Sequence, residues 1–309
     1  MQAQLEIILP VFVVISFGYI AVWRGLFSEE SVDGIVSFAQ NFAIPCLLFR
    51  AISEIDIFGS FSVPLIVSYY LGAFTSFVVG YAGARVLFKR DPVDATAIAF
   101  CCLFSNTVLL GIPITERAYG SDGLTGNYAI IALHAPLCYV LGVTAMETAR
   151  DRSTSIGERL ALVLRALIRN PFVVAILLGF IVNIMSIQLP LPLIKSLDLL
   201  SQTALPIALF GLGGVLVSFR VEGDSKIILM ICSISLFLHP AIVFFAGKAL
   251  HLDQAALRSA VLTASMAPGV NTYVFANMYN ASRRVTASSV LVATAASIFT
   301  IWIWLQLLP

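Results

Sequence analysis

The sequence predicts an all-α membrane protein of ten spanning helices, arranged as two five-helix repeats of opposite orientation. Three observations predict it. Apolar residues make up 59% of the 309 and charged residues only 11%, against about 25% charged in soluble domains. Ten apolar stretches can be marked out, most near the ~20 residues that a bilayer-crossing helix needs. Two of them are interrupted at matching places, by Asn106-Thr107-Val108-Leu109-Leu110-Gly111-Ile112-Pro113 and by Ala267-Pro268-Gly269-Val270-Asn271-Thr272. Such residues are costly at membrane depth unless the irregular backbone lines a protein-walled or wet cavity. A net charge of +1 gives no basic field for nucleic acid.

Span 1 covers about 4–22. The residues before it lack a basic stretch, and no small-residue cleavage site follows, so it is expected to stay as helix 1. Span 2 (33–52) carries Pro45, and span 3 (61–88) ends near Ala82-Gly83. Span 4 (94–118) holds the first interruption, and span 5 (124–148) holds His134. The polar run 150–169 reads as a cytoplasmic linker, part of it an interfacial helix. It separates a first repeat, 1–149, from a second, 170–309. Span 6 (170–187) is followed by span 7 (193–218), where Pro206 precedes the small-residue packing run Gly211-Leu212-Gly213-Gly214. Span 8 (226–250) contains His239-Pro240, span 9 (254–280) the second interruption, and span 10 (285–307) closes the chain. All five cysteines fall within spans and read as small core residues without metal-ligand spacing.

The halves echo one another in order. The Pro45 segment matches the Pro206 segment, Ala82-Gly83 matches Ala246-Gly247, and Tyr119 after the first break matches Tyr279 after the second, at offsets of 161, 164 and 160. Five spans per repeat is odd, so the second copy enters from the opposite side. Thirteen of the 18 Lys and Arg residues follow odd-numbered spans. The positive-inside rule puts those loops in the cytoplasm and both termini outside.

A helix broken at mid-membrane exposes unpaired N–H groups at the start of its second half, which suits an anion. Pro113 and Pro268 are placed to interrupt the ladder, and Gly111 and Gly269 to let the backbone turn and approach a ligand. Asn106, Thr107, Asn271 and Thr272 are placed to cap the freed ends or to hydrogen-bond a substrate. His134, mid-span, is a candidate to bind a carboxylate or carry a proton. His239 reads as a cap for carbonyls that Pro240 frees. Arg50 reads as snorkelling to head groups, Asp198 as a partner of Lys195, and Glu116-Arg117 as an exposed pair. No carboxylate or lysine reads as deep, which weighs against a buried-carboxylate Na⁺ or proton site. No phosphate-binding loop is present, so nothing points to ATP. No catalytic constellation or cofactor motif is found, so an enzyme is not expected.

At Asn106-Thr107-x-x-x-Gly111-Ile112-Pro113 with Tyr119-Gly120, at the Pro45 segment, and at Val274-Phe275-Ala276 leading to Tyr279, the chain resembles the auxin efflux carrier family. That family includes plant auxin exporters and bacterial malonate and malate carriers. The resemblance runs nearly end to end. It implies an inverted-repeat fold like that of bile-acid symporters and NhaA-type antiporters, with helices 4 and 9 crossing. It implies a scaffold of helices 1, 2, 6 and 7, lined at Pro45, Leu48 and Pro206 and making a homodimer contact. Helices 3–5 and 8–10 would form the mobile unit. His134 stands where plant members carry a glutamine that helps hold auxin. Ser105 and Thr272 stand where plant members carry a proline at each crossing point, the long central loop is absent, and a polar contact of span 2 falls on Leu48.

The expectation is a secondary carrier for a small organic anion, working by an elevator-like slide in a bacterial inner membrane. Its site residues are Asn106, Thr107, Gly111, Pro113, His134, Pro268, Gly269, Asn271 and Thr272, with no cofactor or metal. A channel-like facilitator and a membrane sensor of organic acids are the alternatives.

Overall fold

The structure, a computed structural model, describes residues 2–55, 62–150, 157, 164–165 and 168–309. Most of the expected linker at 150–169 lies outside the described residues. The helices are α1 (Gln2–Trp23), α2 (Glu29–Glu54), α3 (Val63–Val86), α4a (Pro92–Leu103), α4b (Ile112–Tyr119) and α5 (Thr125–Ala149). They continue with α6 (Pro171–Ile184), α7 (Leu191–Ser218), α8 (Ser225–Ala249), α9a (Gln254–Ala264), α9b (Asn271–Met278) and α10 (Arg283–Leu307). Among the described residues, seven are long and apolar enough to cross a membrane: α1, α2, α3, α5, α7, α8 and α10. Two shorter apolar helices are α4a and α6.

Local chemistry sets the starts. The side chains of Ser28, Ser62, Asp91, Asn170, Asp224 and Asp253 each accept a first-turn amide, and proline opens α3, α4a and α6 behind such a cap. The order of elements in the first half recurs in the second. Each half has a broken helix followed by one of 25 residues, α5 and α10, and the second pieces α4b and α9b are both eight residues long.

Three five-residue π-turns occur in the described chain: Ala39–Ala43 in α2, Thr107–Gly111 before α4b, and Ile234–Leu238 in α8. Each ends two residues before a proline, at Pro45, Pro113 and Pro240. A proline ring clashes with the carbonyl four residues back and cannot donate to it; widening the turn relieves the clash. At Pro240 the stranded carbonyl is that of Leu236, and the indole Nε1 of Trp304 on α10 donates to it at 2.9 Å. Trp304 thus does the capping that the sequence assigned to His239.

The helices gather into two units. The smaller one contains α1 from Pro10, α2, α6 and α7. Glycines bring its helices into backbone contact. A Cβ on Gly18 would lie 1.9 Å from the Phe210 carbonyl oxygen, and one on Gly213 1.9 Å from that of Ile15. Gly211 and Gly214 meet Val36 and Val32 of α2, so the run read as a packing surface is one. The Asn183 amide closes the end of α2, donating to the carbonyls of Ile52, Ser53 and Ile55 at 3.1, 3.1 and 2.8 Å. Arg50 pairs with Glu54 at 2.8 Å and with Asp198 at 2.7 Å. This corrects two expectations: Asp198 is bound across the unit rather than to Lys195, and Arg50 is held by carboxylates rather than reaching freely outward.

The larger unit contains the start of α1, α3, α4a, α4b, α5, α8, α9a, α9b and α10. Fully buried Phe100 and Phe275 stack at 4.0 Å and lock α4a to α9b. Arg117 donates to the carbonyls of Ile7 and Glu6 at 3.0 and 3.1 Å, rather than forming the expected pair with Glu116. Large apolar side chains stand exposed along α1 and α6, Phe17, Trp23 and Ile184 among them. A water-soluble monomer rarely leaves such contiguous apolar faces open.

Candidate functional site

The two broken helices meet inside the larger unit. Phe104–Asn106 leave helical geometry after α4a, and residues 265–270 separate α9a from α9b. The two unwound stretches pair as a short antiparallel bridge between Ser105 and Pro268. The Asn106 amide donates to the Ala267 carbonyl at 2.8 Å, and the Gly269 amide to the Phe104 carbonyl at 2.9 Å. This exchange satisfies backbone groups that the interruptions would otherwise strand in hydrocarbon.

It also decides which amides remain. Asn106 and Gly269 spend theirs on the crossing. Among the described residues, the amides of Val108, Val270 and Asn271 make no backbone hydrogen bond. They stand at the openings of the two second pieces, where the helix dipoles add positive character.

The Asn106 side chain is buried. Its Oδ1 accepts from the Leu109 amide at 3.2 Å, so its other polar atom is the NH₂. That Nδ2 has no hydrogen-bond partner among the described residues. A buried donor without an acceptor costs about 1–3 kcal/mol. A Cβ on Gly269 would lie 3.6 Å from the Asn106 Cα, and one on Gly111 3.7 Å from the Asn106 carbonyl oxygen. These are ordinary contact distances, and Gly111 is helical at φ −62°. Neither glycine is needed to turn the chain; a methyl at either would sit in ordinary contact with the backbone of Asn106.

Thr272 is buried and spent on its own turn, donating from Oγ1 to the Gly269 carbonyl at 2.8 Å and facing Cys101 Sγ at 3.6 Å. Thr107 is buried, and Asn271 is half-buried at the first position of α9b. Pro113 lies inside the second helical piece. Helix 4 unwinds upstream of it, because the π-turn absorbs the proline without breaking the helix. Pro268 is in the bridge itself. His134 reaches the crossing from α5, its ring 4.6 Å from that of Phe104. Pro45, Leu48 and Pro206 belong to the smaller unit, where Leu48 is fully buried, Pro45 half-buried and Pro206 exposed.

Three residues near the crossing were not picked out as site residues. His239 shares a 3.3 Å hydrogen bond through Nδ1 with the Ser105 hydroxyl. Tyr69 of α3 lies against both buried histidines. Asn127 of α5 donates to Thr115 at 3.0 Å and Thr263 at 2.8 Å, tying α4b, α5 and α9a together. The available signal was a polar residue facing small ones inside an apolar span. One carboxylate, Glu147, is also buried, near the C-terminal end of α5 and beside Tyr279.

A family model described as membrane transport protein matches residues 4–305. The chain belongs to this family. It is the auxin efflux carrier family that the helix 4 motif resembles. The chain is 24% identical to the "Putative malonate transporter" of Rhizobium meliloti (strain 1021), over 96% of the chain and 92% of that relative. It is 26% identical to auxin efflux carrier component 8 of Arabidopsis thaliana, over 91% of each. It is 22% identical to the "Uncharacterized transporter YfdV" of Escherichia coli (strain K12), over 96% of the chain and 95% of that protein. The broken, crossing helices are thus set within a membrane transport protein.

Proposed function

We propose that this protein is a secondary transporter that carries a small organic anion by an elevator-like movement. The observation that carries the reading is the crossing: Asn106 Nδ2 lies buried and unpaired beside two helix openings whose amides at Val108, Val270 and Asn271 are free of backbone partners. Donors without acceptors, at the positive ends of two helices, suit a carboxylate. Malonate and auxin, which the relatives' names carry, share that group. In this reading Asn106 and the amides bind the carboxylate, with Thr107, Asn271 and His134 around it. Gly111 and Gly269 leave it room, and Pro113, Pro268 and Thr272 hold the frame.

The larger unit would be the moving part and the smaller one the scaffold, with Pro45, Leu48 and Pro206 on the scaffold side. The recurring order of elements supports an inverted repeat, and the seven long apolar helices with α4, α6 and α9 support ten spans. The lysine and arginine distribution supports outward termini, in a bacterial inner membrane. The exposed apolar faces of α1 and α6 accommodate lipid and a homodimer contact.

The test is transport itself. Purified protein in liposomes should take up labelled malonate or indole-3-acetate saturably. Unlabelled anion on the far side should speed entry of the label, because a carrier exchanges its cargo. Absence of uptake for both anions overturns the carboxylate reading. Uptake without saturation or exchange replaces the carrier by a pore.

A further inference from the structure

Beside the crossing lies a polar cluster that anion binding alone does not require. The Tyr69 ring stands next to that of His134 at 5.8 Å and that of His239 at 5.3 Å. The three come from α3, α5 and α8, and each is at most 2% exposed. Both imidazoles are anchored through Nδ1, His239 by Ser105 at 3.3 Å and His134 by Cys138 Sγ at 3.6 Å. The remaining polar atoms, both Nε2 and the Tyr69 hydroxyl, have no hydrogen-bond partner among the described residues. Three such atoms in one apolar neighbourhood are expensive, and native structures keep them for a reason.

The surroundings narrow the reason. The titratable groups facing the pair are Tyr69 and Tyr70 from α3 and Cys138 from α5, with Ser105 and Phe104 coming from the crossing. The Tyr70 hydroxyl is already committed to the Ile130 carbonyl at 3.0 Å. Among the described residues, no Lys or Arg is buried, and Glu147 is the one buried carboxylate. It lies thirteen residues further along α5 than His134, about 20 Å at 1.5 Å per residue. Among the described residues the buried interior therefore holds no fixed positive charge to offset that of a moving anion. Moving an uncompensated charge through the membrane field costs about 2.3 kcal/mol per 100 mV. Of the side chains here, imidazole is the one whose unperturbed form takes a proton near neutral pH.

We propose that His134 and His239 are a proton-binding pair, so that the anion travels together with one proton. The proposal rests on the anion-carrier reading. One Nε2 takes a proton from the aqueous side on which the anion enters and releases it with the anion on the other. The second imidazole stays neutral, because two adjacent imidazolium ions repel. The load that moves then carries one negative charge fewer.

The experiment is a proton count on binding. Malonate, and separately indole-3-acetate, is added to the purified protein in weakly buffered detergent with a pH indicator, where the free acid is fully ionised. The expected result is close to one proton taken up per anion bound, with affinity weakening as pH rises, by up to about tenfold per unit. His134→Gln and His239→Gln keep hydrogen-bonding capacity but do not titrate, and at least one should abolish the proton uptake and flatten the pH profile. Binding without proton uptake in the parent protein overturns the pair and leaves the carrier reading standing, whether or not the variants fold. An unchanged count in both folded variants also overturns the pair. No binding and no liposome uptake of either anion overturns the carrier reading and this inference with it.

Discussion

Asn106 does two jobs with one side chain, and they can be separated. Its Oδ1 caps the Leu109 amide, while its Nδ2 is left for a ligand. Serine is an equally good cap but has no NH₂. Asn106→Ser should therefore change the thermal midpoint little and weaken carboxylate affinity about tenfold to a hundredfold, the worth of a hydrogen bond to a charged group. Binding isotherms beside melting curves check this; equal affinity would remove Nδ2 from the site. Asn106 stood out in the sequence because a polar Ser105-Asn106-Thr107 run inside an otherwise apolar span is conspicuous. The roles of Ser105 and Tyr69 were not, because they arise from α3, the crossing and α8 meeting in space. Thr272, read as a cap for a freed end or a substrate contact, donates its hydroxyl to the Gly269 carbonyl, a local bond that spacing does not reveal.

At the scale of elements, the spans were readable and the exact places of unwinding were not. Proline marked the interruptions, yet helix 4 leaves helical geometry at Phe104–Asn106 and keeps Pro113 within a helical piece. The π-turns, a widening of one turn, have no residue signature except the proline that follows. Their repair is testable. Trp304→Phe strands the Leu236 carbonyl and should cost about 1–3 kcal/mol, seen as a lower thermal midpoint in detergent. In a Pro240→Ala background, which restores a backbone donor, the same change should cost less; equal costs would contradict the proposed link. Glycines give a second contrast. Gly213→Ala would push a methyl against the Ile15 carbonyl and should destabilise by about 1–3 kcal/mol or more. Gly34→Ala meets nothing within 4 Å in α2 and should stabilise by about 0.5–1 kcal/mol. Both are read by thermal unfolding.

At the scale of the molecule, the all-helical, apolar character was visible because lipid imposes a length and a composition on every crossing helix. The gathering of helices into two units depends on glycine contacts and aromatic stacking that no single segment announces. Exchange kinetics belong here. A carrier should show label entry stimulated by unlabelled anion on the far side, and Gly269→Trp, which fills the space beside Asn106, should abolish that exchange while the protein remains extractable and monodisperse. Persistent exchange would place the route for the anion elsewhere.

The bridge at Ser105 and Pro268 has a consequence for biogenesis. The first half of the chain leaves the ribosome with the Phe104 carbonyl and the Asn106 amide unmet, and their partners at Gly269 and Ala267 are more than 160 residues away. Until those are synthesised, an open backbone edge must stay wet or be shielded by the insertion machinery. Neither half can complete itself alone, so maturation of the fourth helix waits on arrival of the ninth.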